Sequence, residues 1–258
     1  MNVLSIGNSF SQDAQRFLHA IAAADGVELD CANLYVGGCS LEQHAAFLES
    51  GEPVYDWEWN GAPAGQKISL RAAVESRPWD IITLQQASHL SGDARSYFPY
   101  LEQLAAYLRQ TCPQTALYLH ETWAYEPDST HPAFVRYGSD MAQMYGQLRE
   151  AYYAAARRLE LPLIPVGDGI QRLREEVPAF DRSRGGRSLT RDGFHLSWVY
   201  GRYAAGLIWY RALTGRDVCT LSYVPTDPQA PDETDSAVLQ AIRRVVAQLS
   251  VVNPGTVK

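Results

Sequence analysis

Val3-Leu4-Ser5-Ile6-Gly7-Asn8-Ser9-Phe10-Ser11 opens the chain with a short apolar run, a glycine and a polar turn. The run has the length and branching of a buried strand. Gly7 permits a tight turn, and Ala14, Phe17, Leu18 and Ile21 then recur at helical spacing. The same alternation continues outward. Leu29 to Val36, Asp80 to Leu84, Thr115 to His120 and Leu163 to Val166 read as further strands. Helical stripes run over Leu41–Leu48, Phe98–Leu108, Phe134–Tyr152, Val199–Tyr210 and Leu239–Leu249, with Gly215 placed to close the fourth of these. Short β-rich runs alternating with helices predict a three-layer α/β/α fold around a mostly parallel sheet of about five strands. Ligands of such sheets sit beyond the carboxyl ends of the strands, so the residues just after each strand carry the functional question.

Residues 52–69 break the alternation. Val54-Tyr55-Asp56-Trp57-Glu58-Trp59, then Asn60-Gly61, then Lys67-Ile68-Ser69 predict a β-hairpin inserted into the layout. No linker or charge block divides the 258 residues, of which 46% are hydrophobic, so a single domain over 1–258 is expected. The net charge of −7 without a basic stripe argues against nucleic acid and anionic membrane as partners. Cys31, Cys39, Cys112 and Cys219 form no C-x-x-C pair, which points to reduced thiols. The start of the chain lacks a basic region and a long apolar run, so a cytoplasmic location is expected, although a leader removed in processing would leave the same start. Nothing in the sequence fixes an oligomeric state.

Two segments could carry chemistry. Ser9 follows the first strand at a helix start, where free amides could assist a nucleophile and its oxyanion. Ser9 or Ser11 could equally cap the helix, or the turn could cradle a phosphate, though it holds no Lys or Arg. Near the other end, Thr190-Arg191-Asp192-Gly193-Phe194-His195-Leu196-Ser197 places Asp192 and His195 three apart. That spacing lets a carboxylate orient an imidazole base, or makes Asp192 a plain N-cap. His120, Glu121, His131 and His195 have no metal-ligand spacing, so no metal and no cofactor is expected.

Together, Gly7-Asn8-Ser9 after the first strand and Asp192-x-x-His195 before a late helix resemble the SGNH-hydrolase (GDSL-type) superfamily. The pattern G-N-S-F-S, G-G-C-S-L and D-G-F-H-L-S is similar to a bacterial subgroup of it. The resemblance implies a flavodoxin-like sheet and a serine esterase with Ser9 as nucleophile, His195 as base and Asp192 as its partner. It offers Gly38 (or Gly37) and Ser9 as main-chain oxyanion donors. The third block departs from the usual G-x-N-D. Leu84-Gln85-Gln86-Ala87-Ser88-His89 contains no asparagine, and matching it to glutamine-bearing relatives points to Gln86, while a strict count points to His89. Trp57, Trp59, Trp123, Tyr125 and Trp198 are expected near the mouth as stacking surfaces for a sugar, although such aromatics suit ordinary packing as well. The expected substrate is a small-molecule or oligosaccharide ester, most simply an acetyl ester of a carbohydrate. The alternatives are a glycan- or small-ligand-binding protein on the same fold, or a lipase or thioesterase for longer chains.

Overall fold

In a computed structural model, residues 1–231, 234–249 and 251–253 are described. The elements run in chain order β1 (Asn2–Gly7), α1 (Ser9–Gln15), α2 (Leu18–Ala24), β2 (Asp30–Tyr35), α3 (Leu41–Ser50), β3 (Tyr55–Trp59), β4 (Ala62–Ile68), α4 (Leu70–Glu75), β5 (Ile81–Leu84), α5 (Tyr100–Thr111), β6 (Ala116–His120), α6 (Met141–Leu159), β7 (Leu163–Ile164), α7 (Val166–Glu176), α8 (Tyr200–Thr214) and α9 (Ser236–Ala247). The sheet order is β4-β3-β2-β1-β5-β6-β7. Strands β2, β1, β5, β6 and β7 are parallel, in the flavodoxin-like order. The hairpin does not stand apart from them. Strand β3 pairs antiparallel with β2, so the sheet has seven strands where the sequence predicted about five.

Apolar side chains from both sheet faces and the covering helices form one contiguous core. Helices α1, α2, α7, α8 and α9 pack among themselves on one side, and α3, α4 and α5 on the other. Helix α6 joins α5 through the Arg158–Glu102 ion pair at 2.7 Å. Asn60 and Gly61 both take positive φ, 50° and 78°, as a tight two-residue hairpin turn requires.

Three expectations are corrected at element boundaries. The first helical stripe is two helices, because the chain turns at Arg16–Phe17. The stripe over Phe134–Tyr152 is a 3₁₀ turn at Pro132–Tyr137, a left-handed Gly138, and then α6 capped by Asp140. The fifth strand ends at Ile164, and Val166 already begins α7. Gly167 and Gly169 hid that helix in the sequence. Both are there for close approach: a Cβ on Gly167 would lie 2.3 Å from Thr122 O, and one on Gly169 would lie 2.4 Å from Ile208 Cδ1.

Two histidines are sealed in this core. His44 bonds Tyr55 Oη at 2.8 Å, and His120 bonds Gln85 Oε1 at 2.7 Å. Burial pushes each down to about 3. Both rings are therefore neutral in the native state, while the unfolded chain protonates them below about 6.5. The stability tied to each is fully present above that unfolded value and is lost as pH falls toward the native one. Each ring should contribute a slope of about 1.4 kcal/mol per pH unit inside that window. Thermal or urea unfolding measured from pH 7 to 4 should show this decline, and His44→Gln should flatten it. A variant with the parent's pH slope would show that His44 does not bear it.

Candidate active site

Strands β1 and β2 lie side by side with Gly7 opposite Tyr35, so the turns leaving them, Asn8–Ser9 and Gly37–Gly38, meet at the carboxyl edge of the sheet. Neither Ser9 nor Ser11 caps α1. The cap is Asn8, whose Oδ1 accepts from Phe10 N at 2.9 Å, while Ser11 Oγ accepts from Asn8 N at 3.0 Å. That box leaves Ser9 in the first helical turn with its hydroxyl uncommitted to the backbone. Asn8 also donates through Nδ2 to Cys39 O at 3.0 Å, tying the serine turn to the glycine turn. Gly38 is exposed, with φ +64°. Among the described residues, neither its N–H nor that of Ser9 donates to a protein acceptor.

The second segment arrives from far along the chain. Ser9 Oγ donates to His195 Nε2 at 2.9 Å, and His195 Nδ1 donates to Asp192 Oδ2 at 2.6 Å. Asp192 caps no helix, because α8 begins only at Tyr200. Its Oδ1 accepts from Phe194 N (3.1 Å) and His195 N (2.7 Å), closing the turn, while Oδ2 holds the ring. Burial pushes the Asp192 carboxyl up. The hydrogen bonds from the His195 ring and main chain and from Phe194 N outweigh that, and its pKa settles below the ordinary carboxylate value. Gly193 makes the turn possible. Its φ is +87°, and a Cβ there would lie 2.6 Å from Ser129 Cα.

Three supports fix this loop. Glu126 N donates to Gly193 O at 2.8 Å, and Trp123 Nε1 donates to Phe194 O at 2.7 Å. The third is ionic. Asp13, fully buried one helical turn beyond Ser9, accepts from Arg191 Nη1, from Arg202 Nε at 2.8 Å and from Leu196 N at 2.9 Å. Arg191 also donates to Leu196 O. Trp198 lies under both guanidinium groups, 4.3 Å from Arg191 and 4.4 Å from Arg202.

The third block needs correction. The side chain of Gln86 is buried and committed elsewhere. Its Nε2 donates to Ser96 O (2.8 Å) and Ser96 Oγ (3.0 Å), and its Oε1 accepts from Leu41 N and Ala87 N. With both amide hydrogens used, it has none for an oxyanion. The neighbour that reaches the serine turn is Gln85, through Nε2 to Asn8 Oδ1 at 2.8 Å. Since Asn8 Oδ1 already accepts from Phe10 N, Gln85 must donate there. Its Oε1 then accepts the Nδ1 proton of His120. His89 is half-buried, with its ring 6.3 Å from His131. His131 in turn packs 4.9 Å from Phe194, beside the His195 loop.

The aromatic wall is also redistributed. Trp123 is buried, stacked on Phe10 at 4.2 Å, and Tyr125 is buried with its hydroxyl on Ser88 Oγ at 2.8 Å. Both support the site from beneath. Trp59 stacks on Trp57 and under Arg77, three residues back from the end of β2, so it is remote from Ser9. Trp57 lines a cleft, described below. His131, Phe194 and Gln85 were missed because nothing in their spacing marks them. Only the fold brings them to Ser9. Among the described residues no cluster of three or more His, Cys, Asp or Glu is gathered as a metal would need, and no helix is long and apolar enough to cross a membrane.

Residues 2–241 match the family DUF4886, a domain of unknown function. A DUF4886 family protein from Bacteroides uniformis ATCC 8492 is 33% identical, with a TM-score of 0.86 over 96% of this chain and 93% of its own. A protein of Slackia heliotrinireducens classed with the SGNH hydrolases is 21% identical, with a TM-score of 0.53 over 82% of this chain and 97% of its own. A protein of Parabacteroides merdae ATCC 43184 classed as a GDSL-like lipase is 14% identical, with a TM-score of 0.54 over 81% and 93%. No curated protein matches the chain. The last two structures share its fold. By its match over nearly the whole sequence, the chain belongs to the DUF4886 family.

Proposed function

We propose that this protein is a serine ester hydrolase that cleaves short acyl esters, acetyl above all, from a carbohydrate through an acyl-enzyme. The observation that carries the reading is the unbroken hydrogen-bond chain from Ser9 Oγ through His195 to Asp192, assembled from residues 186 positions apart. In this mechanism His195 Nε2 takes the Ser9 proton as Oγ attacks the ester carbonyl. Asp192, kept ionised by its hydrogen bonds, holds the Nδ1–H tautomer and stabilises the imidazolium. In this reading the N–H groups of Ser9 and Gly38, which donate to no described protein acceptor, bind the oxyanion. His195 returns the proton to the leaving alcohol, and a water then enters with His195 again as base. The buried Phe10–Trp123 stack fills the space beneath Ser9, which favours a short acyl group over one sunk into the core.

Three outcomes test the reading. A fluorophosphonate should label Ser9 in the native protein, and Ser9→Ala should abolish labelling and lower acetyl-ester turnover by several orders of magnitude, on the scale of losing a triad nucleophile. A native protein that neither labels nor turns over acetyl, butyryl or octanoyl esters would leave a binding protein on this fold. A preference for octanoyl would make it a lipase or thioesterase.

Gln85→Ala should lower kcat by roughly tenfold to a hundredfold, because Asn8 loses the partner that holds the nucleophile turn. Gln86→Ala should act mainly on stability, by about 1–3 kcal/mol, through the buried groups it leaves unpaired. The reverse pattern would restore Gln86 to the oxyanion site.

Asp13→Asn should remove about 3–5 kcal/mol of stability, as expected when a buried ion pair loses one partner. Arg191→Lys is milder. It keeps the charge and loses the two-way grip on Asp13 and Leu196 O, so kcat should fall on the order of tenfold with KM little changed. Full kcat in Arg191→Lys would show that the loop holds its register without that grip.

A further inference from the structure

Helix α1 buries all but one of its residues and shows only Gln12 to the surface beyond Ser9, with Arg16 following just past its end. Gln12 is three residues on from Ser9 and therefore on the same side of the helix. Opposite this stripe stands the β3–β4 hairpin. Its turn docks on α1, because a Cβ on Gly61 would lie 2.6 Å from Arg16 O. Between helix and hairpin runs a cleft of about 480 Å³ lined by Gln12, Tyr35, Asp56, Trp57, Glu58 and Lys67, among others. That is within the range of about 300–1,000 Å³ typical of small-molecule sites. Tyr35 joins the cleft to the reaction centre. It ends β2 opposite Gly7, and its hydroxyl lies 3.6 Å from where a Gly37 Cβ would stand.

We infer that this cleft binds the alcohol half of the ester, and that it selects an uncharged polyhydroxy unit, a neutral sugar, over an anionic one. The inference rests on the esterase reading for the word alcohol and on the cleft itself for the rest. The Tyr35 hydroxyl and the Gln12 carbonyl are uncommitted to other described protein groups, so the walls offer a donor and an acceptor beside the indole edge of Trp57. This mixture suits a ring with polar edges and apolar C–H faces. Charge excludes anions. Lys67, the cation of the cleft, is held by Asp56 at 2.8 Å. Glu58 is buried under hydrogen bonds from Gln12 and Asn33, and Asp13 lies behind it. A uronate or sugar phosphate would therefore find no free cation among the described residues of the cleft, because Lys67 is already paired with Asp56 and the other acidic group of the lining, Glu58, has none.

The test separates the cleft from the catalytic reading by measuring equilibrium binding. A panel of neutral mono- and disaccharides, each with its uronic-acid counterpart, is titrated into the Ser9→Ala protein by calorimetry or ligand-detected NMR. At least one neutral sugar should bind, with its uronate weaker by about tenfold or more, the worth of one uncompensated charge contact. Gln12→Ala and Tyr35→Phe should each weaken the neutral sugar by about threefold to tenfold, the loss of one hydrogen bond. If either is poorly folded, Lys67→Ala, which leaves Asp56 unpaired, should widen the gap between neutral sugar and uronate by about twofold or more, and a narrowed gap would overturn the charge argument. No binding by any neutral sugar, equal binding of uronates, or binding indifferent to both Gln12 and Tyr35 would overturn the inference while leaving Ser9 labelling intact. Absent labelling with normal sugar binding would overturn the esterase reading and leave the cleft.

Discussion

The Asp13 carboxylate is the constraint on which this arrangement depends. The candidate nucleophile belongs to a seven-residue helix at one end of the chain, and its base belongs to an irregular loop near the other end. Neither segment has the length to fix the other by apolar packing alone. Asp13 solves this by burying one charge in α1 and presenting it to two guanidinium groups and a main-chain N–H from the distant segment. A buried charge is costly unless fully paired, so the complete set of partners is what the folded state must find. Trp198 packs its ring under both guanidinium groups.

A second device works through polarity. Phe10 N can only donate, and this fixes Asn8 Oδ1 as acceptor, Gln85 Nε2 as donor, Gln85 Oε1 as acceptor and His120 Nδ1 as donor. One obligatory amide at the start of α1 thus sets the orientation of three side chains beneath the nucleophile turn. Burial keeps His120 neutral, so the chain has one consistent direction. The support of the site is therefore held in register by hydrogen-bond sign as much as by packing.

Local chemistry explains what could be read from the residues. The five parallel strands announce themselves as short branched runs, and Asn60-Gly61 announces its hairpin because only a few residues accept that turn. Ser9, Asp192 and His195 stand out in the sequence only in combination, through the resemblance, because locally Ser9 and Asp192 read equally well as caps. Gln85 and Gln86 could not be separated in the same way. They are neighbours at a strand end, and the one that faces Asn8 is decided by the partners of the other, Leu41, Ala87 and Ser96. The tryptophans misled for a related reason. An indole suits a binding wall and a core equally well, and Trp123 was claimed by Phe10 and Phe194 O. Helix α7 was hidden because its glycines are unfavourable locally and required by Thr122 and Ile208.

The distance along the chain between Ser9 and His195 also has a meaning in time. Ser9 is made before the segment that faces it, and 186 further residues must follow before His195 exists. At about 5–20 residues per second, that interval is roughly ten to forty seconds. For nearly all of it the growing chain carries a serine without the imidazole that faces it in the fold and an Asp13 with neither arginine. Under the esterase reading, a chain cut short before residue 195 would lack the group that takes the Ser9 proton.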